Sequence, residues 1–139
     1  LDVQTIQNAL KEKSLLIEYV LNTKKNTIDI FTIGKNQKLS LVTSSIEESF
    51  ETDIINFHKL LQSPSLLRRD KREQYIQLAY QFYQQLIQPI ESQLIGVNKL
   101  IIVNDGMTHY LPFEVLLKED NNLAFNQLDF LLKDRWSVP

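Results

Sequence analysis

The 139-residue chain contains no cysteine. That excludes disulfides, thiolate metal sites and a cysteine nucleophile within these residues. It also points to a cytoplasmic origin, because extracellular domains of this size often carry disulfides. Only three Gly and four Pro occur, which argues against a disordered or low-complexity chain. Charge of one sign is scarce as well. The 15 Lys and Arg against 17 Asp and Glu leave a net charge of −2, so neither nucleic acid nor an acidic membrane surface is expected as a partner. Apolar runs such as Leu100 to Val103 are short against the roughly 20 residues that span a bilayer. No basic-then-apolar leader opens the sequence. Leu1 rather than Met stands first, so the chain reads as trimmed from a longer protein or a tag. The two histidines, His58 and His109, lie in different kinds of segment and make no metal spacing with nearby carboxylates. No cofactor is expected.

What is present is an apolar fraction of 43%, enough for the core of one domain or a large piece of one. Asp2 to Lys11 reads as a short helix, with Val3, Ile6 and Leu10 on one face and Asp2 as N-cap. Three strands follow: Ser14 to Leu21, Thr27 to Ile33 and Lys38 to Thr43. Their polar connections are short, which makes them antiparallel neighbours. The middle strand changes its apolar parity at Ile30-Phe31, a sign of a bulge or of burial on both faces.

Ser45-Ile46-Glu47-Glu48 has the form of a capping box. It predicts a helix over Ile46 to Gln62, with Ile46, Phe50, Ile54, Phe57 and Leu61 as its apolar stripe. A second long helix is expected from Asp70 to Leu94, kinked or restarted at Pro89 and ended by Gly96. The Arg68-Arg69-Asp70-Lys71-Arg72 cluster at its start reads as a solvated loop and helix start rather than a phosphate contact. Leu100 to Val103 is continuous and β-branched, the composition of a parallel strand covered on both faces. Phe113 to Lys118 is expected as a short helix, and Leu128 to Val138 as extended chain. The whole is an α/β layer arrangement: an antiparallel meander, long helices and a buried parallel-type strand.

The most informative stretch runs from Leu100 to Leu117. A buried strand ends in Asp105-Gly106, a short polar passage follows, and Leu111-Pro112-Phe113-Glu114 opens the next helix. This pattern resembles the opening part of the CHAT domain, a caspase-like peptidase domain often joined to tetratricopeptide repeats. Leu15-Leu16-Ile17-Glu18-Tyr19 resembles that family's first strand. Tyr80 to Ile90 is similar to its helix ending in "leucine, x, x, proline, leucine", and Phe130 to Pro139 to the strand that follows. The resemblance spans nearly the whole chain and rests on the order and spacing of these pieces.

The resemblance implies residues 1–139 are the N-terminal, non-catalytic part of such a domain, truncated before its catalytic half. Several members of the family are cysteine endopeptidases, with a histidine in a Gly-His-Gly-like turn and a cysteine after a later strand. In that chemistry the histidine assists the thiolate and backbone amides hold the oxyanion. Neither motif is present, since His109 is flanked by Thr108 and Tyr110 and no cysteine follows. No catalytic residue carries over to this chain. The implied partners are the missing catalytic half or another chain, and an upstream tetratricopeptide repeat domain.

From the residues themselves, Asp105-Gly106 reads as a tight turn rather than a ligand loop, with Gly supplying positive φ. Glu114 reads as a first-turn carboxylate rather than an acid or base. His109 reads as an ordinary loop histidine, and His58 as a partly exposed helix residue. Trp136 is a candidate interface anchor. Two further function classes stay open: a stand-alone α/β interaction domain, and a small-ligand sensor built on the Asp105-Gly106 loop.

Overall fold

The computed structural model describes residues 2–117. Trp136 and the expected extended segment from Leu128 to Val138 lie outside the described residues. Helix α1 (Val3–Ala9) begins at Asp2, whose Oδ1 accepts from the Thr5 amide at 2.7 Å. That backbone hydrogen bond holds the Asp2 carboxyl below its ordinary range. Three strands follow, β1 (Ser14–Asn22), β2 (Thr27–Gly34) and β3 (Ser40–Ser45). The first turn is closed by the Asn22 side chain, which accepts from the Lys25 amide at 3.2 Å. It is completed by Asn26 at φ +52, a left-handed conformation that asparagine tolerates.

The β1–β2 register runs without interruption from Leu15↔Gly34 to Asn22↔Thr27. The parity change in β2 is therefore not a bulge. Consecutive Thr32 and Ile33 point to opposite faces and both are buried, so the strand end is covered on both sides. Helix α1 ties itself to this end: Gln7 Nε2 donates to the carbonyls of Gly34 and Gln37 at 3.1 and 2.9 Å.

Helix α2 starts at Phe50 and runs to Gln62, which corrects the expected start at Ile46. Ser45 does not cap it. Strand β3 pairs with β2 as far as Ser45↔Thr27, and the Ile46 amide donates to the Asn26 carbonyl at 3.0 Å. The sheet ladder takes the residues that local propensity assigned to a helix. Helix α3 is Arg69–Leu86. A 3-10 helix, Gln88–Leu94, restarts with Pro89 in its first turn, where a missing amide costs nothing. Gly96 at φ +76 then turns the chain. Arg68 and Arg69 of the basic cluster stay at the surface, where Arg68 pairs with Asp70 at 3.5 Å and Arg69 with Glu73 at 3.1 Å, while Lys71 and Arg72 are half-buried.

Strand β4 (Lys99–Val103) enters parallel to β1, with Leu15↔Leu100 and Ile17↔Ile102 in register. The sheet order is β3-β2-β1-β4. Helices plus a mixed four-stranded sheet make this an α/β fold. No helix among the described residues is long and apolar enough to cross a membrane.

One face of the sheet carries the core. Leu15, Ile17 and Tyr19 of β1, Ile28 and Ile30 of β2, and Leu100 of β4 form one cluster with α2 and α3. Full burial of each such side chain is worth about 1.5–3 kcal/mol. Phe82 of α3 meets Phe50 and Phe57 of α2 edge-on, with ring centroids 5.9 and 5.3 Å apart. Tyr19 crosses the layer, stacks on Phe113 at 5.4 Å and donates its hydroxyl to the Leu86 carbonyl at 2.8 Å. That carbonyl ends α3 and has no partner within the helix. Burial pushes the Tyr19 hydroxyl well above its ordinary range, so it remains a donor.

The opposite face is barer. Away from α1 it exposes Val20, Leu41 and Val103. Strand β4 was expected to be covered on both faces; instead Leu100 is buried on the core side while Val103 is 44% exposed on the other.

Candidate functional site

Beyond β4 the chain does not make a simple tight turn. Asp105 caps a 3-10 helix, Gly106–Tyr110. Its amide donates to Thr108 Oγ1 at 2.9 Å, and its carbonyl accepts from the same hydroxyl at 2.7 Å. Its carboxylate reaches sideways and accepts from the Leu21 amide at 3.1 Å. The side chain thus extends the β1–β4 pairing beyond the last strand residue. Gly106 sits at φ +55, the positive value expected of the glycine. Both residues serve the backbone.

The Leu111-Pro112-Phe113-Glu114 motif forms a single 3-10 turn, Phe113–Val115, rather than a helix reaching Lys118. Leu111 and Phe113 are buried in the main cluster. The turn is fixed from α3: the Tyr75 hydroxyl donates to the Val115 carbonyl, and the Leu117 amide donates to the Ala79 carbonyl at 3.4 Å. Burial raises the Tyr75 hydroxyl above its ordinary range, which preserves the donor. Glu114 stands in the first turn, half-buried.

These pieces frame a cleft of about 490 Å³ at the carboxyl end of β4. Its walls are the last turns of α2, the end of β4 and residues 109–114. Open sheets with parallel strands commonly bind ligands at this end. Four of the six motif residues, Leu111, Pro112, Phe113 and Glu114, line the cleft, while Asp105 and Gly106 do not. Both histidines of the chain line it too, His58 from α2 and His109 from the 3-10 helix. Sequence spacing kept these two apart; the fold brings both to the same cleft.

Asn104 was also missed. Its Oδ1 is buried at the cleft and accepts no hydrogen bond, a costly state for a polar atom. The available signal was its place directly after an apolar parallel strand. Neither imidazole hydrogen-bonds to a described residue. Among the described residues no cluster of three or more His, Cys, Asp or Glu could hold a metal ion.

A second groove, of about 580 Å³, runs between α2 and α3. Its carboxylate is already engaged: Asp53 Oδ2 accepts from Ser49 Oγ at 2.9 Å and from Gln81 Nε2 at 3.0 Å. Among the described residues the β4 cleft therefore combines an edge strand with polar side chains that make no hydrogen bond.

No protein-family model matches this chain, and no curated protein matches it.

Proposed function

We propose that this chain is the scaffold part of a CHAT-type, caspase- or separase-like cysteine endopeptidase. It builds one side of the sheet and supports a catalytic half that supplies the histidine and cysteine. One observation carries the reading. Strand β4, parallel and apolar like an interior strand, stands at the edge of the sheet formed by the described residues, with a cleft beside it. Such an edge invites another strand. The order of helix, meander, two long helices and parallel strand fits the resemblance carried by Leu111-Pro112-Phe113-Glu114. In this reading the protein acts in the cytoplasm and an upstream tetratricopeptide repeat domain relays signals to it.

The test is the parent coding sequence downstream of Pro139, followed by fluorogenic peptide assays on the full chain. A Gly-His-Gly-like turn, then a cysteine after a later apolar strand, with cleavage lost on Cys→Ala, supports the reading. A continuation lacking both residues removes it.

A second reading, a stand-alone α/β interaction domain without a catalytic partner, draws on a different observation. One hydrophobic cluster runs from Leu15 to Leu117 and closes around α2 and α3 within this chain alone. The same sequence and assay decide between the two.

A further inference from the structure

Two buried apolar residues stand outside the main core. Leu10 and Ile33 are 7% and 3% exposed, yet neither belongs to the cluster that α2 and α3 form with the sheet. Ile33 pairs with Leu16 across the β1–β2 ladder, and the next pair, Ile17↔Thr32, puts Ile17 in the core. Side chains alternate along a strand, so Ile33 and Leu16 point to the opposite face. The segment that begins with α1 lies at this end of the sheet and brings half-buried Ile6 and buried Leu10.

Little holds that segment. Helix α1 contains no buried residue, and a helix of seven residues is marginal in water without outside support. Among the described residues, every hydrogen bond from residues 2–12 to a residue beyond Ser14 ends on residues 34–37. Gln7 Nε2 donates to the Gly34 and Gln37 carbonyls, Lys35 Nζ to the Leu10 carbonyl at 3.2 Å, and Asn36 Nδ2 to Glu12 Oε2 at 3.1 Å. This clasp has a fixed base, since Gln37 Nε2 donates to the Gln93 carbonyl at 3.1 Å. The pivot is fixed as well. The Lys13 carbonyl accepts from the Asn98 and Lys99 amides at 2.9 and 3.3 Å. Lys13 itself stands at φ +60, a left-handed conformation that lysine rarely adopts. Sparse apolar burial and exposed backbone mark a segment that opens ahead of the whole fold.

We propose that residues 2–12 form a strap that swings open about Lys13 while the sheet, α2 and α3 stay closed. Closed, the strap covers Ile33 and Leu16 with Ile6 and Leu10. Open, it uncovers them and joins them to Val20, Leu41 and Val103, already exposed on that face. The strap thereby sets how much of the second face of the sheet is apolar toward solvent.

The experiment labels single thiols with dithionitrobenzoate under native conditions and in low urea. The chain has no cysteine of its own, so one introduced thiol reports alone. Ile33→Cys, under the strap, should react at least about 100-fold faster than Ile30→Cys in the main core. Its rate should also depend little on urea, because a local opening exposes little surface. Adding Leu10→Ala should speed labelling at position 33 by at least about tenfold and leave position 30 unchanged. Adding Gln7→Ala, which removes two bonds of the clasp, should act in the same direction. Leu16→Cys repeats the measurement from the neighbouring strand and serves if Ile33→Cys does not fold.

Equal labelling rates and equal urea slopes at positions 33 and 30 would overturn the proposal, because only global unfolding would then expose either thiol. Labelling at position 33 that ignores Leu10→Ala and Gln7→Ala would assign its cover to another part of the chain and overturn it too. Neither outcome touches the peptidase reading, which stands or falls on the residues downstream of Pro139.

Discussion

The two edges of the sheet are built differently. Strand β3 reads Ser-Leu-Val-Thr-Ser-Ser, and its residues alternate in exposure, with Leu41 55% exposed on the bare face. Hydroxyl side chains suit a strand that ends a sheet in water. Strand β4 reads Lys-Leu-Ile-Ile-Val, pairs in parallel with β1 and seats Leu100 in the core without any exposure. Its composition is more apolar than that of β3, with Leu100 buried and Ile101 and Ile102 half-buried. Among the described residues, one edge is polar and alternates in exposure, and the other is apolar and borders the cleft. The cleft, the orphaned Asn104 oxygen and both histidines cluster at that second edge.

Substitutions can break or sharpen this contrast. The largest effect is expected at β4: Leu100→Ala should cost about 2–5 kcal/mol in chemical denaturation. Val42→Ala on half-buried β3 should cost about 1 kcal/mol. Equal losses at the two positions would erase the distinction between an interior-type and a terminal edge. Next comes Tyr75→Phe, which leaves the Val115 carbonyl without its donor. A loss of about 1–3 kcal/mol is expected, together with faster amide exchange over residues 111–117 than over β3.

Asp105→Ala should cost about 1 kcal/mol, because the Leu21 amide loses its acceptor. Nuclear magnetic resonance should place the resulting exchange increase at the β1–β4 end of the sheet, not at the β1–β2 turn. Smallest of all, Leu41→Lys on β3 should change stability by no more than about 0.5 kcal/mol. A larger loss in a thermal melt would mean that the β3 edge is covered in solution, against its description as a terminal strand.

Much of this fold was legible in the sequence because hydrophobic period and turn chemistry agreed. Leu15, Ile17 and Tyr19 alternate and are all buried; Phe50, Ile54 and Phe57 recur at helical spacing and meet them. Pro89 and Gly96 acted where their backbone limits required. The failures have physical causes. The Ser45 capping box was sound locally, but pairing with Thr27 claimed the residue for β3. The run Leu100 to Val103 resembled a strand covered on both faces because an apolar run looks the same whether its second face is fully or only partly covered; Ile101 is half-buried and Val103 exposed. The Asp105-Gly106 turn concealed a carboxylate bond to Leu21, a contact between segments far apart in sequence. The site was harder still. Four motif residues do line the cleft, but His58 and His109 both line it only because the chain crosses from α2 through α3 to β4.

The most direct test compares amide hydrogen exchange of β3 and β4 in the 139-residue chain and in a chain extended by the coding sequence downstream of Pro139. The account predicts that the extension slows exchange in Lys99–Val103 by at least about tenfold and leaves Ser40–Ser45 unchanged. Unchanged exchange at β4, or protection gained at β3 instead, would contradict the claim that β4 is the edge at which the sheet continues.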